Sequence, residues 1–127
     1  MTPAADTIAA IATPAGRGGI GIVRVSGQAC RVIAGAITGA GIDPRRATYR
    51  AFLAADGSVI DRGVMLYFAA PASYTGEDVV EISTHGSPVI VAELLEVLYQ
   101  AGARSAEPGE FTLRAYLNGR IDLTQAE

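Results

Sequence analysis

Two charged residues stand out because each lies inside an apolar stretch that is typical of a β-strand. Arg24 lies in the run 20–25, and Glu81 lies in the run 78–84. Burying a charge without a partner is costly, so each side chain must lie at an edge, form an ion pair or face a polar ligand. Three interpretations stay open at this point: exposure to solvent on an antiparallel strand, a mutual ion pair, and a ligand site.

The glycine-rich stretch 16–21 matches the pattern GxGxxG of dinucleotide-binding proteins. That fingerprint works only when its glycines open a helix, and the β-branched residues at 20–25 favour a strand instead. We therefore predict a glycine-rich turn that lets the backbone approach a ligand or another strand. A helix beginning at Gly18 would favour the dinucleotide interpretation. The sequence contains no Lys, so the phosphate-binding loop GxxxxGK[ST] is absent.

Several other residue types could do chemistry, and each has a structural interpretation. Cys30 is the only cysteine, which excludes an internal disulfide and a CxxC motif, and we interpret it as a packing residue. His85 is the only histidine, and we interpret it as a structural hydrogen-bonding residue rather than a catalytic one. Glu110 and Arg114 have the i,i+4 spacing of a pair on a helix surface. Arg120 lies just beyond that helix, where its side chain can reach a neighbouring cleft.

Composition narrows the class of protein. The 127 residues are enough for one domain with an ordinary core, and half of them are hydrophobic. The net charge of −3 gives no positive field for holding a nucleic-acid backbone, so this domain is not expected to be a main anchor for RNA. The sequence shows no signal peptide and no apolar run of about 18 residues, so we expect no membrane span and a cytoplasmic location.

The pattern of apolar and turn-forming residues predicts an α+β (mixed α/β) fold, with a mixed β-sheet and flanking helices. Asp56-Gly57 suits a hairpin turn. Ser87 can cap a helix whose first turn contains Pro88 and whose end is marked by Gly102. Strands are predicted at 6–12, 20–25, 47–54, 59–68, 78–84 and 103–106, and helices at 28–37, at 87–102, from 108 and, incompletely, at 122–127.

Four stretches taken in order carry a resemblance to one family. They are 6–8 with 12–27 (DTI and ATPAGRGGIGIVRVSG), 73–78 (SYTGED), 85–86 (HG) and 106–127 (AEPGEFTLRAYLNGRIDLTQAE). Together they resemble the N-terminal domain of the tRNA modification GTPase MnmE, also called TrmE, over essentially the whole chain. Two positions depart from the family pattern: Arg120, where Lys is more usual, and Ser87, where a second glycine is expected after His85-Gly86.

The resemblance implies a site as well as a fold. Residues 1–120 would form a tetrahydrofolate-binding and homodimerisation domain that is similar to the folate-binding domain of aminomethyltransferases. Residues 121–127 would begin a helical domain that is truncated here. The family's folate-contacting residues fall on Arg24, Glu81 and Arg120, with no catalytic or metal-binding residue. Glu81 would accept hydrogen bonds from the pterin edge, while the two arginines would bind carbonyl or carboxylate oxygens.

The resemblance also implies what the longer protein does. It would be a GTP hydrolase whose GTP, Mg and K sites lie outside this chain, which itself has no GTP site or catalytic constellation. With the FAD-dependent partner MnmG it would modify C5 of the wobble uridine in tRNA, taking a one-carbon unit from 5-formyl- or 5,10-methylene-tetrahydrofolate. Two alternatives stay open: a purely structural dimerisation module that binds no ligand in isolation, and a dinucleotide-dependent enzyme using the loop 16–21.

Overall fold

A computed structural model describes residues 6–13 and 19–122, and that part of the chain contains six strands and three helices. The α+β prediction is therefore confirmed. The helix predicted at 122–127 lies almost entirely outside the described residues. In chain order the elements are β1 (Ile8–Ile11), β2 (Ile20–Ser26), α1 (Cys30–Thr38), β3 (Thr48–Leu53), β4 (Val59–Phe68), β5 (Val79–His85), α2 (Pro88–Gln100), β6 (Arg104–Ser105) and α3 (Glu110–Leu117).

The six strands form one sheet in the order β3-β4-β5-β2-β1-β6. Neighbouring strands are antiparallel except for β1 and β6, which are parallel, so the sheet is mixed as predicted. The hairpin between β3 and β4 turns at Asp56-Gly57, where Gly57 has a φ of 88° that suits glycine. The glycine-rich turn predicted before β2 lies largely outside the described residues, at 14–18. Because β2 begins at Ile20, the stretch 16–21 ends in a strand rather than in a helix, and this removes the physical basis of the dinucleotide interpretation.

The sheet buries one face against α1 and α2. Val23 and Val25 of β2 point to this face and join Ile33 of α1 and Leu94 of α2 in the hydrophobic core. Side chains alternate along a strand, so Arg24 and its neighbours at 22 and 26 point to the opposite face, which we call the outer face. One end of the outer face is covered by α3 and by the loop that precedes β5.

Helix α2 starts where the sequence predicts but without the predicted side-chain cap. Ser87 lies at the N-cap position with an extended backbone, and its hydroxyl makes no capping hydrogen bond. The first turn relies instead on Pro88 and on a 3.1 Å bond from the amide of Val91 to the carbonyl of Ser87. Of the helices within 6–13 and 19–122, none is both long enough and apolar enough to cross a bilayer.

Candidate functional site

Arg24 and Glu81 form an ion pair on the outer face. They lie directly opposite each other in the antiparallel register of β2 and β5. Nε and one terminal nitrogen of Arg24 donate to the same oxygen, Oε2 of Glu81, at 3.0 and 2.8 Å. The two side chains are 30% and 28% exposed, so solvent reaches the pair. The mutual ion pair, one of the interpretations left open by the sequence, is confirmed, and neither bond uses Oε1 of Glu81.

A pocket of about 370 Å³ lies beside this ion pair. Glu81 and Arg120 both line it, although they are far apart in sequence. Arg24 lies at the edge of the pocket, because it contacts two of the residues that line it. It donates a hydrogen bond to Glu81, and its guanidinium carbon is 5.7 Å from the ring centroid of Tyr74. The structure thus brings the three sequence-predicted site residues to one place. The pocket is lined by Arg45, Phe68, Ala72, Ser73, Tyr74, Val79, Glu81 and Arg120.

Arg120 reaches the pocket because α3 ends sharply before it. Gly119 has a φ of 73°, which turns the chain, and the amide of Arg120 donates to the carbonyl of Ala115 at 2.8 Å. Nε of Arg120 then donates to the carbonyl of Ser73 at 3.1 Å. A Cβ added at Gly76 would lie 3.2 Å from Cγ of Arg120, so a glycine there leaves room for the arginine.

One wall of the pocket comes from the loop 73–77, which we call the pocket loop. Ser26 of β2 anchors it, with its hydroxyl 2.7 Å from Oγ1 of Thr75 and donating to Oε1 of Glu77 at 2.8 Å. From the other side, the side-chain Nδ2 of Asn118 donates to the carbonyl of Thr75 at 2.9 Å. The loop is therefore held between the sheet and the end of α3.

Arg114 of α3 is the buried centre of this arrangement, with only 1% of its side chain exposed. Its guanidinium donates to the carbonyl of Asp6 at 2.7 Å, to Oε1 of Glu77 at 3.1 Å and to Oε2 of Glu110 at 3.3 Å. The predicted i,i+4 pair of Glu110 and Arg114 forms, but its predicted location on a helix surface is wrong. Both side chains are buried, with Glu110 7% exposed, and Glu110 also accepts a 2.7 Å bond from Arg104.

Sequence reasoning missed the partnership between Arg114 and Glu77. The i,i+4 spacing predicts only partners on the same helix, whereas Glu77 lies on the pocket loop, 37 residues from Arg114. The sequence does contain one indication that Glu77 has a partner. Glu77 belongs to the SYTGED stretch, a loop segment rich in hydrogen-bonding groups.

Cys30 and His85 make contacts that fit the structural roles predicted for them from the sequence. Burial, helped by the charge of Asp78, raises the pKa of the Cys30 thiol to about 12, so Cys30 is an unreactive packing residue. His85 bonds through Nδ1 to Oδ1 of Asp61 at 2.9 Å. Within the described ranges, no group of three or more His, Cys, Asp or Glu residues is placed to hold a metal ion.

Fold and site together define a small α+β domain with a polar pocket on one face of a mixed sheet. A family described as "GTP-binding protein TrmE N-terminus" matches residues 7–120. The chain belongs to this family.

Proteins named tRNA modification GTPase MnmE are similar to the chain. The protein of Neisseria gonorrhoeae (strain NCCP11945) is 54% identical over 127 residues, which is the whole chain and 28% of that protein. The protein of Nitrosomonas europaea is 57% identical over 122 residues, which is 96% of the chain and 27% of that protein. The chain therefore spans little more than a quarter of the length of these curated relatives.

The first prediction concerns Arg114. Replacing Arg114 with Met leaves Glu77 and Glu110 with less compensation in a buried position, and we expect the free energy of unfolding to fall by about 3–5 kcal/mol. Urea denaturation measures this change. The matched control is Arg31→Met, which removes an exposed arginine from α1 and should cost less than about 1 kcal/mol. Equal losses in the two variants would contradict the central role of Arg114.

The second prediction concerns acid stability. Hydrogen bonds from Arg104, ahead of those from the Glu107 amide, lower the pKa of Glu110 from 4.5 to about 2. A carboxyl group whose pKa is lowered by folding stabilises the fold above its unfolded pKa, and this contribution is lost as the pH falls from about 4.5 through about 2. At neutral pH the wild type should have a higher free energy of unfolding than Arg104→Gln. Urea denaturation should show this difference shrinking as the pH falls through that window. Parallel stability profiles for wild type and variant would show that Arg104 does not control Glu110.

Proposed function

We propose that this chain binds a reduced folate in the pocket beside Arg24 and Glu81. The observation that carries the proposal is the meeting of an acidic and a basic side chain, Glu81 and Arg120, in one pocket of about 370 Å³. That volume falls in the range of small-molecule sites. Partly exposed ion pairs contribute little to stability, about 0–1 kcal/mol, so a charge pair set in two apolar strands favours a functional role.

The chemistry of the pocket residues suits a pterin. The aminopyrimidine edge of a pterin presents two parallel N–H donors, and a carboxylate accepts such a pair well. Both bonds from Arg24 go to Oε2 of Glu81 and use its two lone pairs, so Oε1 keeps its full acceptor capacity, and Oε2 would become available as Arg24 turns toward the ligand. Arg24 and Arg120 would donate to carbonyl or carboxylate oxygens of the ligand, and the rings of Phe68 and Tyr74 offer apolar contact.

For the longer protein we propose the role that its relatives' names and the family resemblance together suggest. This domain would serve a cytoplasmic GTPase that modifies tRNA, using 5-formyl- or 5,10-methylene-tetrahydrofolate as the one-carbon source. The FAD-dependent MnmG would be its partner at C5 of the wobble uridine, and GTP, Mg and K would bind outside this chain. With a net charge of −3, the chain is poorly suited to be the main contact of the complex with tRNA.

A second candidate function is homodimerisation, with or without ligand. It is favoured by large apolar side chains on the outer face of the sheet, where Ile20 is 60% exposed, Tyr49 67% and Val64 40%. A second copy of the chain would cover these side chains, and a ligand in the pocket could be enclosed at the same interface. A purely structural dimerisation module remains the alternative to folate binding.

The third prediction tests the folate proposal. Glu81→Gln keeps the shape of the side chain but removes its charge and replaces one acceptor oxygen with a donor. We expect its binding free energy for 5-formyltetrahydrofolate, measured by calorimetry, to weaken by about 1.5–3 kcal/mol. The matched control is Glu93→Gln on the exposed side of α2, which should bind like the wild type. Unchanged affinity in Glu81→Gln would overturn the assignment of Glu81, and no binding by the wild type would favour the structural alternative.

The fourth prediction tests the dimer. Ile20→Asp places a charge among the apolar side chains of the outer face, and we expect light scattering to show a shift from dimer to monomer. Val89→Asp is the control, because Val89 is similarly exposed, at 66% against 60% for Ile20, but lies on α2. If both variants keep the wild-type mass, or if the wild type is itself a monomer, this face is not a dimer interface. A wild-type dimer that is indifferent to folate would favour the structural module.

A further inference from the structure

Four arginines lie along the edge of the sheet that is formed by β3 and by the loop before it. Because β3 is the last strand on this side, no further strand of the described chain covers that edge. Tyr67 of β4 joins two of the four. Its carbonyl accepts a 2.6 Å bond from the amide of Arg45, and its ring centroid lies 5.9 Å from the guanidinium carbon of Arg31. We call the group the arginine edge, and its members are Arg31, Arg45, Arg46 and Arg50.

The positive charges of the arginine edge are not compensated within 6–13 and 19–122, where none of the four forms an ion pair. The segment 41–50 contains three of them and a single acid, Asp43. A second carboxylate, that of Asp78, lies close to the Tyr67 side chain, and it accepts a 2.8 Å bond from the amide of Ala70. Four cations therefore face two acids, which leaves a local excess of positive charge.

The arginines of this edge also keep hydrogen-bond donors in reserve. Arg31, Arg45 and Arg46 are exposed. The guanidinium of Arg50 donates once, at 3.3 Å to the carbonyl of Gly41, and its buried Nε has no partner in the described part of the chain. A guanidinium carries five N–H donors, so the group can hold several anionic oxygens.

Arg45 connects the arginine edge to the pocket beside the ion pair. It lines that pocket, and it has a φ of 61°, the only positive φ of a non-glycine residue in the described ranges. Glycine would adopt this backbone conformation more easily, so the arginine side chain is kept against a local preference. An anion bound along the edge would thus lie next to the mouth of the pocket.

We propose that the arginine edge binds the phosphate backbone of the tRNA substrate. Guanidinium groups match phosphate in charge and in bidentate geometry. The net charge of −3 argues against a main anchor for RNA, but salt screens charges beyond about 8–10 Å, so the local excess decides a local contact. This inference rests on the proposed role in tRNA modification, and it would place the RNA beside the one-carbon donor.

The test measures binding of the chain to fluorescently labelled unmodified tRNA by anisotropy, over a series of salt concentrations. The variant is the double substitution Arg31→Gln with Arg46→Gln, because neither residue lines the pocket. We expect its affinity at low salt to fall about tenfold, and the slope of log K against log salt to become shallower by about 1.5, since two phosphate contacts are lost. The double substitution to Lys keeps both charges and should retain most of the affinity.

The matched control is Arg62→Gln. Arg62 is also exposed, and within the described residues it forms no ion pair. It lies on β4 five residues before Tyr67, which corresponds to about 17 Å along the strand. We expect this variant to bind tRNA like the wild type.

The outcomes separate this inference from the proposed folate site, which calorimetry with 5-formyltetrahydrofolate tests on the same proteins. A wild-type chain that binds no tRNA at low salt, or a control that loses as much affinity as the double variant, would overturn the arginine edge as an RNA contact. Displacement of the tRNA by polyglutamate at equal charge would also overturn it, because the edge would then fit an acidic protein surface equally well. Folate affinity should stay at the wild-type value in the double variant whichever of these results is found.

Discussion

The buried guanidinium of Arg114 is the constraint on which the pocket depends. A charge that is almost completely removed from solvent needs compensation, and Arg114 obtains it from its own helix and from two segments that are distant in the chain. The carbonyl of Asp6 precedes β1, Glu77 lies on the pocket loop, and Glu110 begins α3. These segments must meet before the charge is satisfied, so their relative positions are closely specified.

The two sides of the pocket are therefore built by different means. Strand register places Arg24 opposite Glu81, and it is fixed because the alternate residues Val23, Val25, Val80 and Ile82 belong to the core. The opposite wall has no such register, since it consists of a loop and the turn after α3. Buried ion pairs and hydrogen bonds through Arg114 hold that wall, and Arg120 donates to the carbonyl of Ser73 across it. A rigid sheet and a tethered loop together give a preorganised pocket, which lowers the cost of ordering side chains on binding.

Much of the fold could be predicted from the sequence because its signals are local. Three local patterns each indicate one element of secondary structure: the Asp56-Gly57 turn, the apolar stripe of α2 and the β-branched run of β2. The charges at Arg24 and Glu81 could be singled out because they interrupt apolar strands. The burial of Arg114 could not be predicted, because it follows from contacts with Asp6 and Glu77 that no periodicity encodes.

The most direct test of the central claim is a crystal structure of the chain soaked with 5-formyltetrahydrofolate. We expect the aminopyrimidine edge of the pterin to lie within hydrogen-bond distance of the carboxylate of Glu81. Arg24 and Arg120 should then be directed at ligand oxygens, with the pocket loop in the position described above. A pterin bound elsewhere on the chain, with Glu81 still bonded to Arg24 and to no ligand atom, would show that Glu81 does not bind the pterin.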